Sequence, residues 1–192
     1  MKKTNIRMLA EVALFATLAY ILDVFTQPMQ IGPWISFSFK MVPIFIVTFR
    51  WGTKAGMLSG FIWGLLQIVT GQAAGGFLNV FQGFLEYFVA FALIGVGGIV
   101  KPAIDKARSK KQNVRLLLTS MLGIIIGTLS RYVIHFIAGI IFWGSYAPKG
   151  QSAIYYSFYI NGFSWLGETL ACILVIWALS PFMYRLLNTK QS

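Results

Sequence analysis

Long apolar runs separated by short polar or basic stretches dominate the pattern along this chain of 192 residues. A helix that crosses a membrane needs about 20 mostly apolar residues. On that criterion the pattern predicts an all-α membrane protein with six transmembrane helices, folded as a single integral-membrane domain over residues 1–192. The predicted spans are Arg7–Phe25, Ile35–Phe49, Ala55–Thr70, Phe77–Val100, Leu116–Trp143 and Phe158–Tyr184. The second span is the shortest and contains Lys40 and Pro43.

Composition and charge agree with a membrane location. Hydrophobic residues make up 57% of the chain and charged residues only 11%, whereas about a quarter of the residues in a soluble domain are charged. The net charge is +11, and 13 of the 16 lysines and arginines fall on one side of the predicted spans. Because cytoplasmic loops carry the excess of lysine and arginine, both termini are expected in the cytoplasm. The charge therefore reports topology and does not indicate a nucleic-acid partner.

Polar groups inside the fourth span form the first candidate site. Glu86 lies within the apolar string "NVFQGFLEYFVAF", and Asn79, Gln82 and Glu86 are spaced by three and four residues. That spacing predicts that the three side chains share one helical face. Because ionisable groups inside a membrane are costly and usually face the bundle interior, they indicate function.

The fifth span carries a second polar face. Arg131, His135, Gly139 and Trp143 recur at intervals of four residues, and His135 is the only histidine in the chain. Because Gly139 lacks a side chain, it is expected to leave room beside His135 and Trp143. Tyr156 and Asn161 lie near the start of the sixth span. Together these groups predict a pocket for a flat, nitrogen-rich and cationic small molecule, since tryptophan is the best cation–π partner. The alternative is that the polar groups satisfy one another as contacts between helices.

Motifs for other chemistry are missing from the sequence. There is no G-x-x-x-x-G-K-[ST] phosphate loop, no H-E-x-x-H and no G-x-S-x-G. One histidine and one distant cysteine, Cys172, argue against a zinc site. The sequence therefore predicts a protein that is not an enzyme and needs neither a metal nor a cofactor.

Four strings in the sequence resemble one transporter family, in the same order along the chain. They are "RWGTKAGMLSGFIWGLLQIVTG", "GFLEYFVAF", "RYVIHFIAGIIFWGSYAPKG" and "YYSFYING". On these strings the chain resembles the thiamine-specific S-components of energy-coupling factor (ECF) transporters. The resemblance implies a six-helix bundle in the bacterial plasma membrane that binds thiamine with high affinity on the extracellular side. It also implies partner subunits, a transmembrane T-component and two ATPases, which agrees with the missing phosphate loop.

The resemblance also implies which residues contact the ligand and which face the partner. The implied ligand-binding residues are an acid and its neighbouring tyrosine, a basic residue, the histidine string with its stacking tryptophan, two polar residues before the last span, and a lid tryptophan: Glu86, Tyr87, Arg131, His135, Gly139, Trp143, Tyr156, Asn161 and Trp34. Small residues on the first helix, here Ala13 and Thr17, match the family's face toward the T-component, although ordinary helix packing is an alternative. One departure is the stretch Gln72 to Asn79, which lacks the His and Tyr that some relatives carry.

Three other functions compete with this prediction. The nearest is an S-component for another flat heterocycle, such as riboflavin or a pyrimidine precursor. The others are a membrane-embedded enzyme, for which the sequence shows no acid–base or metal constellation, and a purely structural membrane subunit. Equilibrium binding of thiamine against those ligands separates the first two predictions. Incubating the purified chain with thiamine and looking for a product tests the enzyme, and a structural subunit would bind no small molecule.

Overall fold

The bundle is built almost entirely from helices, as seen in a computed structural model that describes residues 6–26, 30–31 and 35–188. Its longer elements are α1 (Ile6–Thr26), α2 (Val42–Trp51), α3 (Thr53–Val69), α7 (Asn113–Phe142) and α8 (Ala153–Ala178). A two-stranded antiparallel hairpin, β1 (Gln30–Ile31) and β2 (Ile35–Ser36), follows α1, with Ile31 opposite Ile35. Short 3₁₀ turns lie at Ala74–Gly76, Gly144–Tyr146 and Ser180–Phe182, and α9 (Met183–Leu186) ends the described chain.

One long helix between α3 and α7 changes its winding along its length. It runs through α4 (Val80–Gly83), a π-helical segment (Phe84–Val89), α5 (Ala90–Leu93), a 3₁₀ segment (Ile94–Val100) and α6 (Lys101–Ser109). We call Val80–Ser109 the composite helix. Segments of π-helix occur mostly as single turns inside α-helices and are frequent at functional sites, and here the π segment contains Glu86 and Tyr87.

Within the part of the chain that the structure describes, four helices are long and apolar enough to cross a membrane, namely α1, the composite helix, α7 and α8. The prediction of a helical membrane protein is therefore confirmed. The predicted count of six spans is not confirmed, because only these four of the described helices are long enough. The predicted start of the second span is wrong, because Ile35–Ser36 is a strand and α2 begins only at Val42. Pro43 explains that start, since proline is favoured in the first turn of a helix and disfavours helix before it.

Several further boundaries differ from the sequence-based prediction. The basic stretch after the fourth span is helical up to Ser109, and α7 begins at Asn113, so only a short turn separates the two helices. The sixth span ends at Ala178, before the 3₁₀ turn and α9. Helix α7 ends at Phe142, which leaves Trp143 one residue beyond the helix.

Glycines on α3 let the composite helix approach closely. A Cβ on Gly64 would lie 1.7 Å from the carbonyl oxygen of Tyr87, and one on Gly60 would lie 2.1 Å from that of Phe91. Only a residue without a side chain fits at either position, as in other close helix pairs in membranes. This contact fixes the depth at which the π segment, and with it Glu86, sits in the bundle.

Candidate ligand-binding site

A cavity of about 310 Å³ lies between the composite helix, α7 and α8, near the hairpin. Its size is at the lower end of the range of about 300–1,000 Å³ for small-molecule pockets. The structure brings eight of the nine predicted ligand-binding residues to the cavity wall: Glu86, Tyr87, Arg131, His135, Gly139, Trp143, Tyr156 and Asn161. The ninth, Trp34, lies outside the described residues.

Glu86 accepts hydrogen bonds from three side chains on two sides of the cavity. Nε1 of Trp143 donates to Oε2 at 3.0 Å, and Nδ1 of His135 lies 3.2 Å from Oε1. The amide nitrogen of Gln82, one turn earlier on the composite helix, also donates to Oε2. Three donors around one carboxylate favour its ionised form, because an ionised carboxylate only accepts hydrogen bonds.

The ring nitrogens of His135 face two different partners. Nε of Arg131 donates to Nε2 of His135 at 3.3 Å. Since a guanidinium can only donate, Nε2 must accept, and in a neutral imidazole the proton then resides on Nδ1, which faces Glu86. The hydrogen bonds therefore assign a neutral histidine that donates to the acid.

Arg131 is almost completely buried, with 5% of its surface exposed. Its Cζ lies 4.6 Å from the ring centre of Phe91 and 5.3 Å from that of Trp63, so aromatic faces stabilise the cation. Its Nη1 lies 3.2 Å from Oε2 of Glu168, which is fully buried on α8. The predicted cation of the site is thus held by an acid that the sequence analysis did not single out.

Glu168 belongs to a group of four buried charges that we call the ion network: Asp23, Lys40, Arg131 and Glu168. Nζ of Lys40 lies 3.0 Å from Asp23 and 3.2 Å from Glu168. Asp23, Lys40 and Arg131 line the cavity, whereas Glu168 does not. Asp23 and Glu168 could have been found in the sequence, because each is an acid within an apolar run and such groups are costly in a membrane.

Lys40 keeps its charge in this setting. It precedes α2 and lies outside the four membrane-length helices. Burial acts to lower the pKa of Lys40, but the negative charges of Glu168 and Asp23 outweigh burial and raise that pKa above its ordinary value. The ammonium group is therefore a permanent member of the ion network near neutral pH.

Gly139 has a different role from the one its position in the sequence indicates. The missing side chain was expected to leave room beside His135. Instead, a Cβ on Gly139 would lie 2.2 Å from Oγ of Ser157 and 3.2 Å from Nδ2 of Asn161. The space is filled by α8, and Nδ2 of Asn161 also donates to the carbonyl of Ser157 at 3.0 Å. Gly139 therefore brings Asn161 up to the cavity.

The stretch Gln72 to Asn79 contributes Gly76 to the cavity wall. Gln82, which is fully buried, holds it by donating to the carbonyl of Gly76 and accepting from the backbone N–H of Leu78. Asn79 is exposed and caps α4 by accepting from the N–H of Gln82, so it does not join the polar face expected from its spacing. The sequence thus identified Glu86 correctly as a cavity residue but misplaced Asn79.

The fold and the cavity together define a helical membrane protein that encloses a charged and aromatic site of small-molecule size. Residues 9–188 match the family model described as thiamine transporter protein (Thia_YuaJ), and the chain belongs to this family. Its members are transport proteins and not enzymes. The resemblance found in the sequence is confirmed at this level.

Individual relatives agree with the family assignment. The chain is 36% identical over 185 residues to the thiamine transporter ThiT of Lacticaseibacillus paracasei, covering 96% of this chain and 92% of the relative. It is also 36% identical over 188 residues to the thiamine transporter ThiT of Bacillus subtilis, covering 96% and 95%. A solved structure of ThiT from Listeria monocytogenes matches with a TM-score of 0.88 at 32% identity, covering 95% of this chain and 97% of that chain.

Proposed function

We propose that the chain is a thiamine-binding S-component of an ECF importer in the bacterial plasma membrane. The observation that carries the proposal is the Glu86 carboxylate, which faces the cavity together with the indole of Trp143 and the ring of His135. An acid beside aromatic faces suits a flat cation that carries an amino group, and thiamine combines a thiazolium cation with an aminopyrimidine. The names of the relatives support the same ligand.

Each cavity residue then has a defined role. Glu86 compensates the ligand's positive charge and accepts from its amino group, while Trp143 provides an aromatic face for stacking. Asn161, Tyr156 and Tyr87 supply neutral polar groups around the ligand. Arg131 and His135 position the acid through the hydrogen bonds described above. The lid role of Trp34 rests on the family resemblance alone.

The topology and the partners belong to the same proposal. Residues 1–192 form one integral-membrane domain with six spans. These are the four membrane-length helices together with the shorter helices α2 and α3. Both termini are cytoplasmic because 13 of the 16 lysines and arginines fall on one side. The T-component docks on α1, where Ala13 and Thr17 lie on the exposed face. Energy comes from two ATPase subunits, since the sequence has no phosphate loop.

A titration of the purified chain with thiamine, followed by tryptophan fluorescence, tests the ligand assignment. The Trp143 indole lines the cavity, so saturable quenching at stoichiometric thiamine is expected. Riboflavin and a pyrimidine precursor of thiamine serve as competing ligands in the same assay. Tighter binding of either competitor would mean that this competitor, and not thiamine, is the ligand. If none of the three binds, the proposal of a vitamin-binding subunit is rejected.

A further inference from the structure

The cavity and the ion network together contain an unequal number of positive and negative groups. Among the residues that the structure describes, the acids are Asp23, Glu86 and Glu168, and the cations paired with them are Lys40 and Arg131. His135 is neutral in the arrangement assigned by its hydrogen bonds. The sum is one negative charge, which matches a ligand with a single positive charge.

Glu168 is the centre of this balance. Its Oε1 accepts from the hydroxyl of Ser36 and lies 3.2 Å from Nζ of Lys40, while its Oε2 lies 3.2 Å from Nη1 of Arg131. It has no exposed surface. Glu168 therefore bridges both network cations without lining the cavity, and with Asp23 it balances their two charges. A buried charge of this kind acts through a low dielectric over several ångströms.

We infer that Glu168 is a specificity-determining residue that makes the cavity selective for a monocation, an inference that rests on the proposed binding of thiamine. If Glu168 is neutral, Asp23 and Glu86 face Lys40 and Arg131 with a sum of zero. The electrostatic preference for a cation over a neutral molecule of the same shape then disappears. Glu86 provides the direct contact with the ligand. Because Glu168 and Asp23 balance the charges of Lys40 and Arg131, the charge of Glu86 remains uncompensated and available to the ligand.

The test compares thiamine with an isostere in which a neutral thiophene ring replaces the thiazolium ring. The measured quantity is the ratio of the two dissociation constants, obtained by calorimetry on the purified full chain. Glu168→Gln should lower the preference for thiamine by about tenfold or more, because one unit charge is removed from a buried site. Damage to the cavity shape would weaken both ligands equally and leave the ratio unchanged.

Variants of Lys40 give the opposite sign and a rescue. Lys40→Gln makes the sum −2 and should raise the preference for thiamine, which loss of structure cannot do. The double variant of Lys40→Gln with Glu168→Gln restores the sum of −1, so its ratio should return to the wild-type value. Removing both partners of a buried pair is tolerated better than removing one, so the double variant tests the inference even if Glu168→Gln does not fold.

A matched control is Glu11→Gln, in the half of α1 that lies away from the cavity. Glu11 is also a largely buried carboxylate, paired with Arg50 at 2.8 Å, but it does not line the cavity. Its loss should leave the ligand ratio unchanged. Equal ratios in the wild type, Glu168→Gln and Lys40→Gln would overturn the inference while leaving thiamine binding intact, whereas a wild-type chain that does not bind thiamine would reject the proposed function itself.

Discussion

Nε1 of Trp143 donates to Oε2 of Glu86 at 3.0 Å, a contact that joins the end of α7 to the π segment of the composite helix. Trp143 lies just past the helix, but its own N–H still bonds to the carbonyl of Gly139 at 3.2 Å. Trp143 is therefore held both by its backbone N–H and by its ring nitrogen. A rigid aromatic face beside an acid is a preformed site for a flat cation.

The first prediction concerns this hydrogen bond. Trp143→Phe keeps an aromatic ring but removes the N–H that holds Glu86. Because a hydrogen bond to a charged group contributes about 1.5–3 kcal/mol, thiamine affinity should fall by roughly tenfold to a hundredfold, measured by calorimetry. Trp177→Phe, at an exposed position on α8, is the control and should bind normally. Normal binding by both variants would mean that the ring face alone matters.

The second prediction concerns the charge of Glu86. Glu86→Gln keeps the shape and removes the charge, so the ligand loses its direct counter-ion. Loss of one partner from a buried charge-assisted contact costs about 2–5 kcal/mol, and thiamine binding should weaken at least about tenfold. Glu11→Gln removes a comparable charge away from the cavity and should change affinity little. Unchanged affinity in the Glu86 variant would assign this residue to interhelical contacts only.

The third prediction compares a glycine on α7 that packs against α8 with a glycine on α8 that has open space beside it. Gly139→Ala places a Cβ 2.2 Å from Oγ of Ser157. Either the Ser157 hydroxyl leaves its hydrogen bond to the carbonyl of Phe136 or α7 and α8 separate, so the melting temperature should fall. The accompanying shift of Asn161, which bonds to Ser157, should lower thiamine affinity. Gly162→Ala on α8 is the control, because its Cβ meets nothing within 4 Å. Alanine is favoured over glycine in a helix by about 1 kcal/mol, so this control should be as stable as the wild type or more so.

The fourth prediction separates ligand binding from transport. Ala13→Trp on the exposed face of α1 should leave thiamine affinity nearly intact and abolish ATP-dependent uptake in vesicles that contain the full complex, since bulk holds off a partner helix. Leu18→Trp is the control, because Leu18 lies about 140° around the helix from Ala13. This variant should keep ATP-dependent uptake. Uptake by the Ala13 variant at the wild-type rate would place the docking surface elsewhere.

Residues that break an apolar run were the ones that sequence analysis located best. Glu86, Arg131 and His135 stand out because ionisable groups in a membrane span are costly, and the structure brings all three to one cavity. The same argument should have singled out Asp23 and Glu168. Their partners, Lys40 and Arg131, are distant in the sequence, so the pairing depends on how the helices pack.

Backbone details were harder to predict than side-chain chemistry. The apolar content of Ile35–Phe49 predicted a span, yet hydrophobicity alone does not distinguish a strand, a turn and a short buried helix from one longer helix. Gly139 was expected to leave a space, but whether a neighbouring helix fills that space depends on tertiary structure. The roles of Trp34 and of the partner-facing residues stay predictions.

The π segment has a consequence for chain length within the composite helix. Gln82, Glu86, Ala90 and Ile94 are spaced by four residues, and all four lie on the inward side. In a regular α-helix each step of four residues turns about 40° past a full turn, so three steps would turn the last side chain about 120° away from the first. The wider π turn absorbs that drift. Deleting Leu85 would return the segment to α-helical winding and leave Gln82, Glu86, Ala90 and Ile94 spaced by three, four and four residues, a pattern that also lies on one face. The π turn thus accommodates one additional residue in this helix while the cavity wall and the packed core stay on the same face.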